Sequence, residues 1–166
     1  MHEAVSNYAR MVSEGQLANP AAAPGTRVVE VGSLDINGTV RQFFTARGVV
    51  DYVGIDKVPG RGVDVVGFAA HVLDRLPAQS VDVVLYLNTL EHDPEFWFTL
   101  QAIGGVLRRG GHLVVCAPGV TFGEHDKPDY WRCFMAAVPV LHGLAKCQVR
   151  DVRPDGSGFM SLGERQ

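Results

Sequence analysis

The sequence predicts a doubly wound α/β fold, a mostly parallel sheet with helices on both faces, and three observations carry that expectation. Short β-branched runs alternate with segments of helical periodicity along most of the chain, the pattern of successive β-α units. The run Val81-Asp82-Val83-Val84-Leu85-Tyr86-Leu87 is almost wholly apolar, as a central parallel strand buried on both faces requires. Val28-Val29-Glu30-Val31 breaks at Gly32 into Ser33-Leu34-Asp35-Ile36-Asn37-Gly38, small and turn-forming residues that precede a helical pattern. Parallel strands need right-handed crossovers, so ligand-facing loops gather at the carboxyl ends of the strands.

The elements follow in order. Ala4, Val5, Tyr8, Met11 and Val12 recur at helical spacing, so residues 2 to 17 predict a helix packed over the sheet. The prolines and glycine of Asn19-Pro20-Ala21-Ala22-Ala23-Pro24-Gly25 stop it, and the core starts near Arg27. After the glycine turn, Val40, Phe43 and Phe44 share a helix face that Gly48 ends, and Val49 to Ile55 is a second strand. Val63 to Val66 predicts a short third strand and Phe68 to Leu76 a short helix stopped by Pro77. The fourth strand is Val81 to Leu87. Asp93-Pro94 then opens a helix whose apolar face is Phe96, Trp97, Leu100, Ile103 and Leu107, closed by Arg108 to Gly111. His112 to Ala117 is strand five, Pro118 to Trp131 a long loop, Met135 to Leu144 a helix despite Pro139, and Lys146 to Val152 a sixth strand. Residues 154 to 166, rich in glycine and polar side chains, predict no definite element.

At 166 residues the expectation is one domain, with an N-terminal helix to residue 18, an α/β core over 27–153 and a tail over 154–166. A net charge of −3 without a basic block argues against nucleic acid or an anionic membrane as partner, and no run is long enough to span a bilayer. The partner expected is a small molecule; a homodimer stays open. Cys116, Cys133 and Cys147 are widely spaced and form no C-x-x-C pair, which fits reduced thiols in a cytoplasm, as does an N-terminus without a signal-peptide pattern.

Gly32 lets a backbone turn approach a ligand, and Asp51-Tyr52-Val53-Gly54-Ile55-Asp56 ends a second strand on an acid placed to accept from a ribose diol. A glycine turn alone is common in α/β proteins with no cofactor, but loop and acid together are far more specific. The same pair would serve a nicotinamide-dependent oxidoreductase, although the G-x-G-x-x-G spacing is absent.

These residues resemble the class I S-adenosylmethionine-dependent methyltransferases, in the small-molecule type often called type 11. Val28 to Gly32 looks like the family's first motif, Tyr52 to Asp56 like its second strand, Val81 to His92 with Leu90-Glu91-His92 like its fourth strand and turn, and Leu107-Arg108-Arg109-Gly110-Gly111-His112-Leu113 like its fifth. The resemblance implies a Rossmann-like methyltransferase fold and S-adenosyl-L-methionine as cofactor. It implies that Gly32 and Ser33 lie by the aminoacyl part, that Glu30 orients the loop and the amino group, that Asp56 binds both ribose hydroxyls, and that Asn88 lies beneath the methionine moiety; a crevice lined by Glu30, Asp35 and Asp56 also suits a cationic sulfonium and ammonium ligand. Two positions depart from the family. Leu34 stands where a second glycine is common, so the loop takes another path; Phe68 stands where an acid often meets the adenine, leaving ring packing and the Ala69 N–H for that part.

Methyl transfer from a sulfonium is an in-line displacement, so the protein's tasks are positioning and, where the acceptor needs it, proton removal. His92, near the rim, and His125, beside Asp126, are the candidate bases, with a turn hydrogen bond and a solvated loop as their plainer readings. The loop from Pro118 to Trp131 is a candidate lid that forms part of the acceptor pocket, with Tyr130 and Trp131 as candidate acceptor contacts. No metal is expected, since Glu124, His125 and Asp126 lack a partner at ligand spacing. The function expected is methyl transfer to a small molecule; an S-adenosylmethionine-binding module without independent catalysis is the alternative.

Overall fold

The structure, a computed structural model, describes residues 3–17, 21–124 and 128–166. Its centre is a seven-stranded sheet of β1 (Arg27–Val31), β2 (Asp51–Asp56), β3 (Val65–Val66), β4 (Val81–Leu87), β5 (Leu107–Ala117), β6 (Cys147–Asp155) and β7 (Gly158–Arg165), in the order β3-β2-β1-β4-β5-β7-β6. β1 to β5 run parallel to one another; β7 is antiparallel to both β5 and β6. The strand order reverses at β1 and β4, the place where doubly wound sheets open a crevice at their carboxyl ends.

Helices cover both faces because the central strands are apolar on both. On one side α3 (Ala69–Leu73), α4 (Phe96–Val106) and α5 (Val138–Leu144) set Leu73, Leu100, Ile103 and Leu141 against Val29, Val31, Val84 and Val115. On the other, α1 (Glu3–Ser13) and α2 (Arg41–Thr45) set Val5, Tyr8, Val12 and Phe44 against Val28, Val83, Leu85 and Val114. The expected N-terminal helix therefore does lie over the sheet, and the Tyr8 hydroxyl reaches across to donate to Asp151 Oδ2 at 2.8 Å. Pro139 falls in the first two positions of α5, where a missing N–H costs nothing, which explains a helix that tolerates it.

Three elements differ from expectation. The helix after the glycine turn begins only at Arg41 and spans five residues, so no helix N-terminus stands over that turn. Arg108 to Gly111 belong to β5, where Val81 faces Leu107 and Val83 faces His112; the four residues bulge from the ladder while the Arg108 guanidinium pairs with Asp82. Residues 154 to 166 complete β6 and supply β7, whose Phe159, Met160, Ser161 and Leu162 are buried. Asn19 and Pro20 of the expected linker lie outside the described residues.

Candidate active site

The turn after β1 satisfies itself. The N–H groups of Gly32 and Ser33 both donate to the Ile55 carbonyl, at 2.9 and 3.1 Å, that of Leu34 to Asp56 Oδ2 at 3.1 Å, that of Asp35 to the Arg61 carbonyl at 2.8 Å, and that of Gly38 to Asp35 Oδ1 at 2.8 Å. The expectation that a ligand meets the backbone donors of this turn is thereby corrected: they are engaged within the protein. A pyrophosphate would need such donors, so a dinucleotide finds no cradle here. Gly32 is required for a different reason. Its φ is +77°, and a Cβ would overlap the Thr89 side chain, whose hydroxyl reaches the Val31 and Leu87 carbonyls at 3.2 and 3.0 Å. The turn after β4 thus lies directly against the turn after β1.

Each acid in this region has a defined partner. Asp35 also pairs with Arg61 at 2.8 Å, and its side chain is only 5 % exposed, so it clamps the first turn to the loop after β2. Ser33 is buried, its hydroxyl has no hydrogen-bond partner among the described residues, and it faces the backbone at Gly54. Beneath the turn, Glu30 accepts from the Tyr52 hydroxyl at 2.7 Å, and burial pushes its carboxyl up to about 7. The Arg41 guanidinium lies 4.6 Å from the Tyr52 ring centroid and pairs with Asp64, which accepts from the Gly54 N–H at 2.7 Å. Asp56 stands half-buried at the end of β2 and accepts from the Leu34 and Val58 N–H groups, one on each oxygen. Each oxygen retains a further lone pair, so the pair of backbone bonds aims the carboxylate without saturating it.

Phe68 precedes α3 and is 63 % exposed, and Ala69 is the first residue of that helix, where an N–H has no intrahelical acceptor. Asn88 takes the left-handed conformation with φ +47°, a constraint that asparagine tolerates better than most residues, and its N–H extends the β4–β5 ladder to the Cys116 carbonyl at 2.9 Å. Donor, exposed ring, aimed carboxylate and strand-end amide all lie on the same edge of the sheet, at positions where an adenosine and its methionine chain find matching partners. The residues therefore fit S-adenosylmethionine, and fit a cation better than a phosphate.

Next to Asn88 opens a cavity of about 220 Å³. Pro118 and Gly119 after β5, Thr121 and Phe122 of the following loop, and Asp155 to Ser157 of the β6–β7 turn enclose it, with Glu91 on its wall. A Cβ on Gly119 would overlap the Ser157 carbonyl, so loop and hairpin turn meet backbone to backbone. Glu91 is 1 % exposed and neither carboxylate oxygen has a hydrogen-bond partner among the described residues. Burial pushes its carboxyl up to about 7.

The other expected site residues fall around this cavity rather than in it. His92 Nδ1 lies 2.9 Å from the Pro128 carbonyl, which can only accept, so Nδ1 carries the proton of the neutral ring. His92 Nε2 is 3.9 Å from Glu91 Oε1. Trp131 donates from Nε1 to the Asp93 carbonyl at 2.9 Å and packs edge-on against Phe96 and Trp97, so it belongs to the helix interface. Tyr130 is exposed, with its N–H on the Glu91 carbonyl at 2.7 Å. His125 lies outside the described residues. Of the residues that line the cavity, Pro118, Gly119, Thr121 and Phe122 belong to the long loop expected beside the acceptor, whereas sequence reasoning missed Glu91, Asp155 and Ser157. Two signals were present: an acid between Leu90 and His92 just beyond a buried strand, and Asp155-Gly156, a hairpin dipeptide.

The profile of a methyltransferase domain family matches residues 12–115. No curated protein matches the chain. Among solved structures, an S-adenosylmethionine-dependent methyltransferase from Archaeoglobus fulgidus is similar with a TM-score of 0.68 at 14 % identity, over 84 % of this chain and 86 % of that one. The 1,6-didemethyltoxoflavin-N1-methyltransferase of Burkholderia thailandensis, solved with bound 1,6-didemethyltoxoflavin and S-adenosylhomocysteine, gives 0.67 at 17 %, over 99 % and 79 %. The YcgJ protein of Bacillus subtilis gives 0.75 at 10 %, over 99 % of both chains. With the family match covering most of the chain and the sheet order and helix layers in place, the chain belongs to the methyltransferase domain family, with S-adenosylmethionine as its cofactor.

Proposed function

We propose that the acceptor is a small molecule, and that it occupies the cavity beside Asn88. The observation that carries this reading is the cavity itself: about 220 Å³ at the carboxyl end of β4, next to the strand ends that fit the cofactor. Ligand pockets of roughly 300–1,000 Å³ hold drug-sized molecules, so this one suits a smaller acceptor or the reacting part of a larger one. When bound, S-adenosylmethionine supplies a methyl carbon on a positively charged sulfur. The chain's own residues do the rest. Asp56 accepts from the ribose hydroxyls, Ala69 N–H and Phe68 take the adenine, Asn88 supports the methionine chain, and Glu30 holds the turn from beneath through Tyr52. Asp35 serves by locking that turn to Arg61. Phe122 and the β6–β7 turn exclude water from the acceptor, which favours displacement over hydrolysis.

The acids at this edge support the same reading, since Asp56 at the end of β2 and Glu91 and Asp155 on the cavity wall favour a sulfonium and an ammonium at short range. Three free cysteines, two of them buried, support a reducing compartment. Turnover is the test. Incubated with S-adenosylmethionine and a panel of small amines, azoles and phenols, the protein should form S-adenosylhomocysteine well above its acceptor-free rate. Tight cofactor binding with background turnover across the whole panel would favour a binding module.

A further inference from the structure

We propose that Glu91 is the catalytic residue on the acceptor side, and that the acceptor is a small nitrogen nucleophile whose N–H it binds and deprotonates. The inference rests on the methyl-transfer reading above and deepens it. A buried carboxylate with neither oxygen hydrogen-bonded to another side chain or strand among the described residues is costly, because its desolvation outweighs what its own backbone N–H and the distant Arg132 give back. Nothing in the packing requires an acid there: the turn is anchored by Leu90, fully buried, and by the Tyr130 N–H on the Glu91 main chain. Glu91 lines the cavity, so the missing donor is one that arrives with a ligand.

The charges around the cavity select its class. Asp155 lines the same space, and no lysine or arginine does among the described residues. Arg132, from the loop before α5, is held by Asp129 at 2.5 Å, which leaves little positive charge for Glu91. The other titratable groups that face it are His92 on its own turn, Tyr86 on β4, Cys116 on β5 and Cys133. Carboxylates and phosphates are repelled, and an amine or N–H azole is attracted. A carboxyl held up to about 7 can take a proton near neutral pH and release it again.

For an amine the balance is simple. The ammonium gives one proton to a Glu91 oxygen, which frees the nitrogen lone pair. That pair forms the new N–C bond as the C–S bond breaks, with its electrons left on sulfur. The product departs as a methylated ammonium and Glu91 returns its proton to water.

Benzylamine, cationic from pH 5.5 to 8.5, is the probe, with benzyl alcohol as its uncharged counterpart, both titrated calorimetrically into the protein without cofactor. Affinity for benzylamine should rise about tenfold across that range as Glu91 ionises, while that for benzyl alcohol stays level. Glu91→Gln should abolish the rise, whereas Asp155→Asn and His92→Gln keep it. With an accepted amine, Glu91→Gln should lower turnover about 100-fold and leave S-adenosylmethionine affinity within about threefold. Benzylamine binding that is flat with pH in the wild type overturns the assignment, whether or not Glu91→Gln folds, and so does an unchanged rise in that variant. A wild type that shows the rise but binds no S-adenosylmethionine keeps the Glu91 site and removes the methyl-transfer reading instead.

Discussion

Glu30 shows how a single side chain ties the site to stability. Its carboxyl stands at about 7 when folded against an ordinary value of 4.5, so the native protein holds the extra proton between those values. This contribution is fully present below about pH 4.5 and declines as pH rises through 7, by on the order of 3 kcal/mol in all. Glu30→Gln, which keeps the shape and can still accept from Tyr52, should therefore raise Tm at pH 8 and leave it nearly unchanged at pH 4.5. Equal shifts at both values would show that the carboxyl is not held up by burial. Trp131 gives the opposite kind of prediction. Because it packs on Phe96 and Trp97 and bonds Asp93, Trp131→Ala should cost about 3 kcal/mol of stability, read as a lower urea midpoint, with S-adenosylmethionine affinity unchanged. Asp56 could be read from its place at a strand end after the glycine turn. Glu91 could be read as part of a motif only, because burial and the lack of a donor are created by the turn, the loop and the hairpin coming together.

Among the elements, β7 is the one the sequence hid. Gly158, Gly163 and the polar Ser161 and Glu164 obscure its alternation, yet Phe159, Met160 and Leu162 are buried and the strand fills the place between β5 and β6. Burial of such side chains contributes about 1.5–3 kcal/mol each, and three of them rival the whole stability of a small domain. Removal of residues 158–166 should therefore abolish cooperative thermal unfolding, whereas a mere tail would be lost without effect. The parallel strands were legible for the converse reason: β1, β2 and β4 are apolar runs whose burial on both faces leaves little else they could be. The turn after β1 was legible as a turn but not as a closed one. Its donors are used by Ile55, Asp56 and Arg61, partners that lie more than twenty positions away and come near only when β2 pairs with β1.

At the scale of the whole molecule, α5, β7 and β5 are joined by one buried chain of hydrogen bonds. Ser161 Oγ donates to the Val115 carbonyl at 3.1 Å, so it accepts from His142 Nε2 at 2.9 Å, and His142 Nδ1 is left buried without a hydrogen-bond partner among the described residues. Charging that ring would bury a cation, which pushes its value down from 6.5 to about 4. The unfolded chain binds the extra proton in that interval, so the contribution is present above pH 6.5 and is lost as pH falls toward 4, on the order of 3 kcal/mol. In urea unfolding followed from pH 7 to 4, His142→Gln should gain on the wild type by that amount, since the opposite trends of Glu30 and Glu91 are common to both proteins; a constant difference would place the acid sensitivity elsewhere. The fold thus carries an acid-sensitive joint on one side of the sheet's antiparallel end and, at the carboxyl ends of its parallel strands, the edge proposed to receive the cofactor.

That edge is tested most directly by calorimetric titration of S-adenosylmethionine, S-adenosylhomocysteine and NAD into the wild type and into Asp56→Asn, a substitution that keeps the size of the side chain. Both sulfur ligands should bind at one site per chain, NAD should not bind measurably, and the affinity should be about 30-fold weaker in a folded Asp56→Asn protein, or about 2 kcal/mol for a lost charge-assisted hydrogen bond. Binding of NAD in place of the sulfur ligands, or S-adenosylmethionine affinity unaltered by Asp56→Asn, would contradict the assignment.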